Sequence, residues 1–452
     1  MSRTDPAVTV SRGLPVFMGR MLAGVPLLGW LLGFLVAVLI EQAVGEPLAQ
    51  LVSLPKMPVL FGILTVSKVI AAIINTVFKD AAFDPAILIH VPAAIAYLTV
   101  VYLAPIVVVA RISANIANRA AGAMNRWNLL LPAIVHLGLM YVVLHIWAGM
   151  SDYRLITLKI TLIAVLLTLS LNIINGYMGE FSCSHPGFMA VGAYMSSLFT
   201  VGLFVDDRVL GNALMACSLD FLSFPLALIF GGICASAAAL LVAIPSFKTR
   251  GDYLAIISLA FLFIIKSLFE NLQALGGSRG IAGQPDWATL PVIFIVVGLG
   301  IWSINNFVTS TFGKALNAVR DDELAAEAMT VNTRKAKMTA FLVGAFWAGV
   351  AGGLLAHVLR YINPAMFGIQ KLAEVLAMVY FGGLNSVYGS IVGAVSIGLL
   401  GEALRPLEIL KWIIIPLLLI LVMIYRPTGL VAFRDFDLRE AMGPKTEPGQ
   451  RK

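Results

Sequence analysis

The sequence predicts an all-α polytopic membrane protein, a helical bundle of roughly 10–12 transmembrane segments. Three observations predict it. Of 452 residues, 60% are hydrophobic and only 12% charged, and the mean hydropathy is +0.93. That much apolar surface exceeds what one water-soluble core can bury. Many apolar runs reach or approach the ~20 residues a helix needs to cross a bilayer. Runs such as WIIIPLLLILVMIY (412–425) do not alternate apolar with polar residues, which excludes the short strands of an outer-membrane barrel.

Taken in order, Arg3, Arg12 and Arg20 precede an apolar run at 21–40. A signal peptide has a shorter apolar core before its small-residue cleavage site, whereas this run is long enough to span, so it reads as a retained first helix with its basic start inside. Candidate spans follow at roughly 22–44, 86–109, 128–148, 155–175, 184–204, 225–244, 253–270, 288–307, 338–359, 371–383, 387–404 and 411–425. The 371–383 stretch is short for a straight crossing. The 59–78 segment is apolar but holds Lys68 and Asn75. Were it to cross, the basic N-terminus would lie outside, so it reads as a periplasmic or interfacial helix.

Basic residues orient the chain. Arg111, Arg119 and Arg126 fall in one loop, Lys248 and Arg250 in another. Lys314, Arg320, Arg334, Lys335 and Lys337 fall in a third, and Arg426 and Arg434 follow the last span. All share one side, the cytoplasmic one, which places both termini there in a bacterial inner membrane. The net charge of +7 and pI near 9.3 therefore reflect retained basic loops and anionic lipid rather than nucleic acid. Residues 1–150 read as accessory membrane helices and 151–432 as the glycine-rich core. Residues 433–452 form a polar tail ending GPKTEPGQRK, too polar to fold alone.

Catalytic and metal chemistry find little support. Cys183, Cys217 and Cys234 lack metal spacing, and His90, His136, His145 and His357 form no zinc motif. Ser182, Ser184 and His185 cluster before Pro186, with Glu180 nearby, but no positioned acid completes a triad, so hydrogen bonding is the plainer role. Lys266 and Glu270 are spaced to pair on one helix face. Glu374 and Glu402 lie in or near apolar spans, where an ionisable side chain is costly and often functional. Gly382, Gly383, Gly389 and Gly393 belong to a small-residue series that includes a GxxxG, suited to close helix packing or to lining a pathway.

One segment stands apart. FGKALNAVRDDELAAEAMTVNTRKAKMTAF (312–341) is dense with both charges and rich in helix formers. Asp321, Asp322 and Glu323 suit a helix start, and Leu324 with Ala328 gives one small apolar face. A short amphipathic helix on a cytoplasmic loop is shaped to dock in a groove. A solvated connection between spans is the plainer alternative.

The segment resembles the cytoplasmic coupling loop of importer-type ABC permeases, and in particular the branched-chain amino-acid (LivM-like) permease family. Gly313, Lys314, Ala315, Ala318, Arg320, Asp321, Asp322, Glu323, Ala325 and Ala326 match that pattern. Thr330 stands where the family has a turn-forming Gly, which puts the local turn geometry in question. KTRGDYLAIISLAF (248–261), SCSHPGFMAVGAY (182–194, with Gly192 and Tyr194), GGSRGIAG (276–283), YFGGLNSVYGSIVGA (380–394) and YRPTGLV (425–431) resemble further family motifs in the same order. Ser184 replaces a usual Gly, and Ser278 and Arg279 replace Pro and Asn. The likeness covers roughly 155–432.

The resemblance implies a permease subunit of an ATP-driven importer of branched-chain or other apolar amino acids. It implies two ATP-binding partner subunits, a second homologous permease subunit and a periplasmic substrate-binding protein. No G-x-x-x-x-G-K-[ST] occurs, so this chain would carry no cofactor and no ATPase activity of its own. The coupling loop would move with the ATPases and rock the attached spans. Urea or short-chain amide importers use very similar permeases and are the first alternative. An ion-coupled secondary transporter is the second, though the inverted repeats it would carry are not visible.

Overall fold

The computed structural model describes residues 24–51, 54, 72, 86–127, 130–204, 220–247, 253–405, 407, 411–426, 429–431 and 442–444. The 59–78 segment (Ala72 apart), Arg3, Arg12, Arg20, Lys248, Arg250, Arg434, Cys217 and nearly all of the 433–452 tail lie outside the described residues. Among the described residues, ten helices are long and apolar enough to cross a membrane. Two shorter apolar helices, Val387–Ala403 and Ile413–Tyr425, accompany them. The chain is an all-α polytopic membrane protein that divides into two compact units.

The first unit contains α1 (Leu27–Leu51), α2 (Ala86–Leu98), a π-helical turn (Thr99–Leu103), α3 (Ala104–Trp127) and α4 (Leu130–Gly149). Arg111, Arg119 and Arg126 sit on α3 rather than in a loop, because ARISANIANRAAGAMNRW is alanine-rich and keeps a helical apolar stripe. The helix through Val91–Met124 has 34 residues, about 50 Å at 1.5 Å per residue, longer than a ~30 Å hydrocarbon core. α1 crosses α3 closely at Gly33, where a Cβ would stand 2.6 Å from the Ile106 carbonyl oxygen. Asn118 Nδ2 donates to the Gly24 carbonyl at 2.9 Å and ties the same two segments.

The second unit runs from α5 (Asp152–Asn172) through a buried π-helical turn (Ile173–Met178) to α6 (His185–Phe204), α7 (Asp220–Ser246) and α8 (Tyr253–Asn271). A two-residue strand β1 (Ile281–Ala282) precedes α9 (Leu290–Thr309), α10 (Thr311–Asp321), α11 (Glu323–Ala328) and α12 (Thr333–Leu359). β2 (Tyr361–Ile362) pairs antiparallel with β1, Ile281 opposite Ile362. A 3₁₀ turn (Pro364–Phe367) leads into α13 (Ile369–Gly382), followed by α14 (Val387–Ala403) and α15 (Lys411–Tyr425).

α12 is the centre of this unit and packs on α5, α6 and α7. Its small residues explain why. A Cβ at Gly192 of α6 would overlap the Gly349 backbone, and one at Gly352 would overlap the Met189 carbonyl. A Cβ at Gly231 of α7 would stand 2.7 Å from the Gly192 carbonyl. In lipid, where apolar surface gives helices little reason to associate, such close approach supplies the van der Waals contact that holds them. Aromatic rings fill the remaining space, with Phe341 edge-on to Phe188 at 5.5 Å and to Phe247 at 5.8 Å.

Candidate functional site

The 312–341 segment folds as two short helices, α10 and α11, followed by the start of α12. In α10, Gly313, Leu316 and Val319 are buried, while Lys314 and Ala318 face out. Gly313 lies too close to the Val308 carbonyl for any side chain. The break comes at Asp322, whose extended backbone (φ −159°, ψ 107°) leaves the helix. Its Oδ1 accepts from the Leu324 and Ala325 N–H groups, both at 3.0 Å, and so caps α11.

α11 ends in a Schellman turn. Val331 N–H bonds the Ala326 carbonyl at 3.1 Å, and Thr330 N–H bonds the Glu327 carbonyl at 3.0 Å. Thr330 takes the left-handed conformation itself, at φ 66°. The turn that a Gly would make is therefore kept, at a conformational cost of about 1–2 kcal/mol. Asn332 then caps α12 through the Lys335 N–H at 2.9 Å.

Lys337 and Arg320 pin this pair of helices. Lys337, on the second turn of α12 and only 9% exposed, donates to Glu323 Oε2 at 2.9 Å and to Glu180 Oε1 at 2.8 Å. Arg320 pairs with Asp321 at 2.8 Å, and its aliphatic stem lies against Gly179, which closes the π-turn at φ 77°. Ala326 is buried, whereas Asp321, Asp322, Glu323 and Ala325 are exposed. Beside them Leu324 (68% exposed) and Met329 (76%) project outward with nothing covering them among the described residues.

The same contacts bring the Ser182–His185 segment to this end of the bundle. After Glu180 the chain re-enters the unit, and Ser182, Ser184 and His185 are fully buried. Ser182 N–H donates to Asn175 Oδ1 at 3.1 Å, the two serine hydroxyls pair at 2.9 Å, and Cys183 N–H donates to Ser258 Oγ at 2.9 Å. Burial pushes the Cys183 thiol up from its ordinary range. His185 stands edge-on to Phe188 at 5.9 Å, with no carboxylate bonded to its ring among the described residues. Asn172 extends the network to the α13–α14 turn, donating to Ser390 Oγ at 2.7 Å and the Ser386 carbonyl at 3.0 Å and accepting from Asn385 N–H at 3.2 Å.

The other sequence candidates lie further off. Tyr194 stacks on Phe269 at 4.1 Å within the core, two residues beyond Gly192 at the α6–α12 crossing. Gly382, Gly389 and Gly393 form the α13–α14 crossing, where a Cβ at Gly393 would stand 2.8 Å from Gly382 Cα. Gly383 ends α13 at φ 129°, and Val431 N–H bonds the Gly382 carbonyl at 2.8 Å. Lys266 and Glu270 pair along α8 at 3.7 Å. The bridge between Lys337 and Glu180 escapes sequence reasoning, because 157 residues separate the partners.

Apolar helices long enough to cross a membrane, with a capped, charged helix pair exposed at one end, define a polytopic helical membrane protein. The chain belongs to the family described as the branched-chain amino acid transport system permease component, which matches residues 153–424. It is similar to the high-affinity branched-chain amino acid transport system permease protein LivM of Escherichia coli K12, 30% identical over 307 residues (60% of this chain, 68% of that one). LivM of Salmonella typhimurium is 30% identical over 318 residues, covering 63% and 71%. The permease protein LivH of Escherichia coli K12 is 29% identical over 171 residues, covering 37% and 54%. No solved structure matches the chain.

Proposed function

We propose that this chain is the membrane-spanning subunit of an ATP-driven importer of branched-chain or other apolar amino acids. It works beside a second, LivH-like permease subunit, two ATP-binding subunits and a periplasmic binding protein. It sits in a bacterial inner membrane with both termini cytoplasmic, and it holds no cofactor of its own. The α1–α4 unit precedes the family match at residue 153 and serves as an accessory layer. One observation carries the reading: a helix pair capped by Asp322, tied inward by Glu323–Lys337–Glu180 and presenting bare Leu324 and Met329 outward. Exposed large apolar side chains on a charged, polar segment mark a docking surface. A tie of that kind passes a pull on α11 into α12 and the π-turn below α5.

The test is uptake of labelled leucine and labelled urea by cells with and without the gene, with ATP depleted in one arm and the proton gradient collapsed in another. Gene-dependent leucine uptake that needs ATP and survives loss of the gradient supports the proposal. Urea uptake with that energetics changes the substrate and keeps the mechanism. Uptake that follows the gradient instead sinks it.

A further inference from the structure

A cavity of about 230 Å³ opens among α5, α13, α14 and α15, apart from the coupling segment. Its lining runs from Thr157 and Arg405, near the start of α5 and just past the end of α14, inward to Ala164 and Met378, so it opens at the end of the unit away from the coupling segment. Ile160, Met378, Ile397 and Ile415 make an apolar side. Glu374, Glu402 and Arg405 make a charged one. Ionisable side chains on membrane helices are expensive, and facing a cavity is where they are tolerated.

These charges are arranged, not stray. Glu402 Oε2 accepts from the Tyr153 hydroxyl and stands 3.9 Å from Arg405 Nη1, which also donates to Tyr153 and lies over its ring at 4.8 Å. Glu374 Oε2 accepts from Lys371 at 3.0 Å. Each carboxylate thus has one oxygen committed, and its Oε1 takes no hydrogen bond among the described residues. The charged side is balanced, Glu374 against Lys371 and Glu402 against Arg405, as a zwitterion requires. The cavity therefore offers acceptors for an ammonium, a planar donor fork for a carboxylate, and a branched aliphatic wall.

We infer that this cavity is a transient binding site for a zwitterionic α-amino acid with an aliphatic side chain. The ammonium lies between Glu374 and Glu402, the carboxylate meets Arg405, and the side chain packs on Ile160, Met378 and Ile397. This rests on the function proposed above and adds a site inside the permease itself. Gly401 provides a plug. A Cβ built there meets nothing within 4 Å, so the space beside it is open.

The purified chain, without binding protein, is titrated with labelled leucine. Competitors are 4-methylpentanoate, which lacks the ammonium, and 3-methylbutylamine, which lacks the carboxylate. The site predicts saturable binding, each competitor at least tenfold weaker than unlabelled leucine, at least tenfold loss in Gly401→Leu and Glu402→Gln, and little loss in Gly401→Ala. Equal competition by the amine or the acid, or unchanged binding in Gly401→Leu, overturns the site. So does absence of binding by a chain that supports leucine uptake in the assembled importer, an outcome that leaves the proposed function standing. Absence of gene-dependent leucine uptake is the separate failure of that function. The competitor series uses the unmodified chain, so misfolding of a variant does not spare the inference.

Discussion

Replacing Lys337 with Met removes a cation from a nearly buried site and leaves Glu180 and Glu323 facing each other without it. Their side chains are 26% and 45% exposed, against 11% for Lys337. At 2.8 Å and an effective dielectric near 20, one such pair has a gross attraction of about 6 kcal/mol. Desolvation of Lys337 and hydration of the half-exposed carboxylates offset most of it. A net coupling of about 2 kcal/mol with Glu180 and about 1 kcal/mol with the more exposed Glu323 remains. Lys337→Met should therefore lower unfolding free energy by about 3 kcal/mol, and Lys337→Arg by less. Double-mutant cycles with Glu180→Ala and Glu323→Ala, read by unfolding in detergent, isolate each pair. The same variants in proteoliposomes should import less leucine per ATP hydrolysed. Additivity within about 0.5 kcal/mol in both cycles refutes the bridge, and unchanged leucine per ATP refutes its part in coupling.

Thr330→Gly relieves left-handed strain on a β-branched residue, and unfolding should show a gain of about 0.5–1 kcal/mol after the added chain entropy of Gly. Asp322→Ala removes the α11 cap and should cost about 1 kcal/mol while weakening ATPase-subunit association in a pull-down. Leu324→Asp and Met329→Asp should leave the melting temperature unchanged and reduce that association at least tenfold, since both side chains are bare in the isolated chain. Gly192→Val drives a branched side chain into the Gly349 backbone and should cost more than ~3 kcal/mol, read as loss of folded protein in detergent.

Much of this architecture is readable from the chain, because membrane crossing depends on local apolar length, and local length is what a sequence displays. The α3 extension shows the limit of that logic. Three arginines look like a loop when charge alone is weighed, yet alanines and a periodic stripe carry the helix on past the apolar run. The Asp322 break has a sequence signal, an aspartate ahead of ELAAEA, but consecutive Asp321 and Asp322 blur which one caps. Thr330 shows the opposite limit: the position needs a positive φ, and the Schellman bonds around it hold a residue that composition argues against. Lys337 looks like one more cytoplasmic cation until the fold sets it beside Glu180.

The asparagine pair at the end of α5 joins these parts. Asn172 is bonded to the α13–α14 turn, and Asn175 to the re-entrant serines that precede α6. Next to Asn175, Gly176 has no room for a Cβ, which would overlap Asn172 and stand 2.6 Å from the Asn385 nitrogen. A π-turn here widens the helix by one residue and so directs both amide side chains outward from one turn, a geometry often found where a helix serves function. Three of the four helices around the Glu374–Glu402 cavity, α5, α13 and α14, are thus fastened together at their end nearest the coupling segment. Packed helices shift as rigid bodies by an ångström or two rather than bending. Under the proposed function, a displacement of α11 passed through Lys337 and Glu180 would reach the cavity as a change in the spacing of its walls.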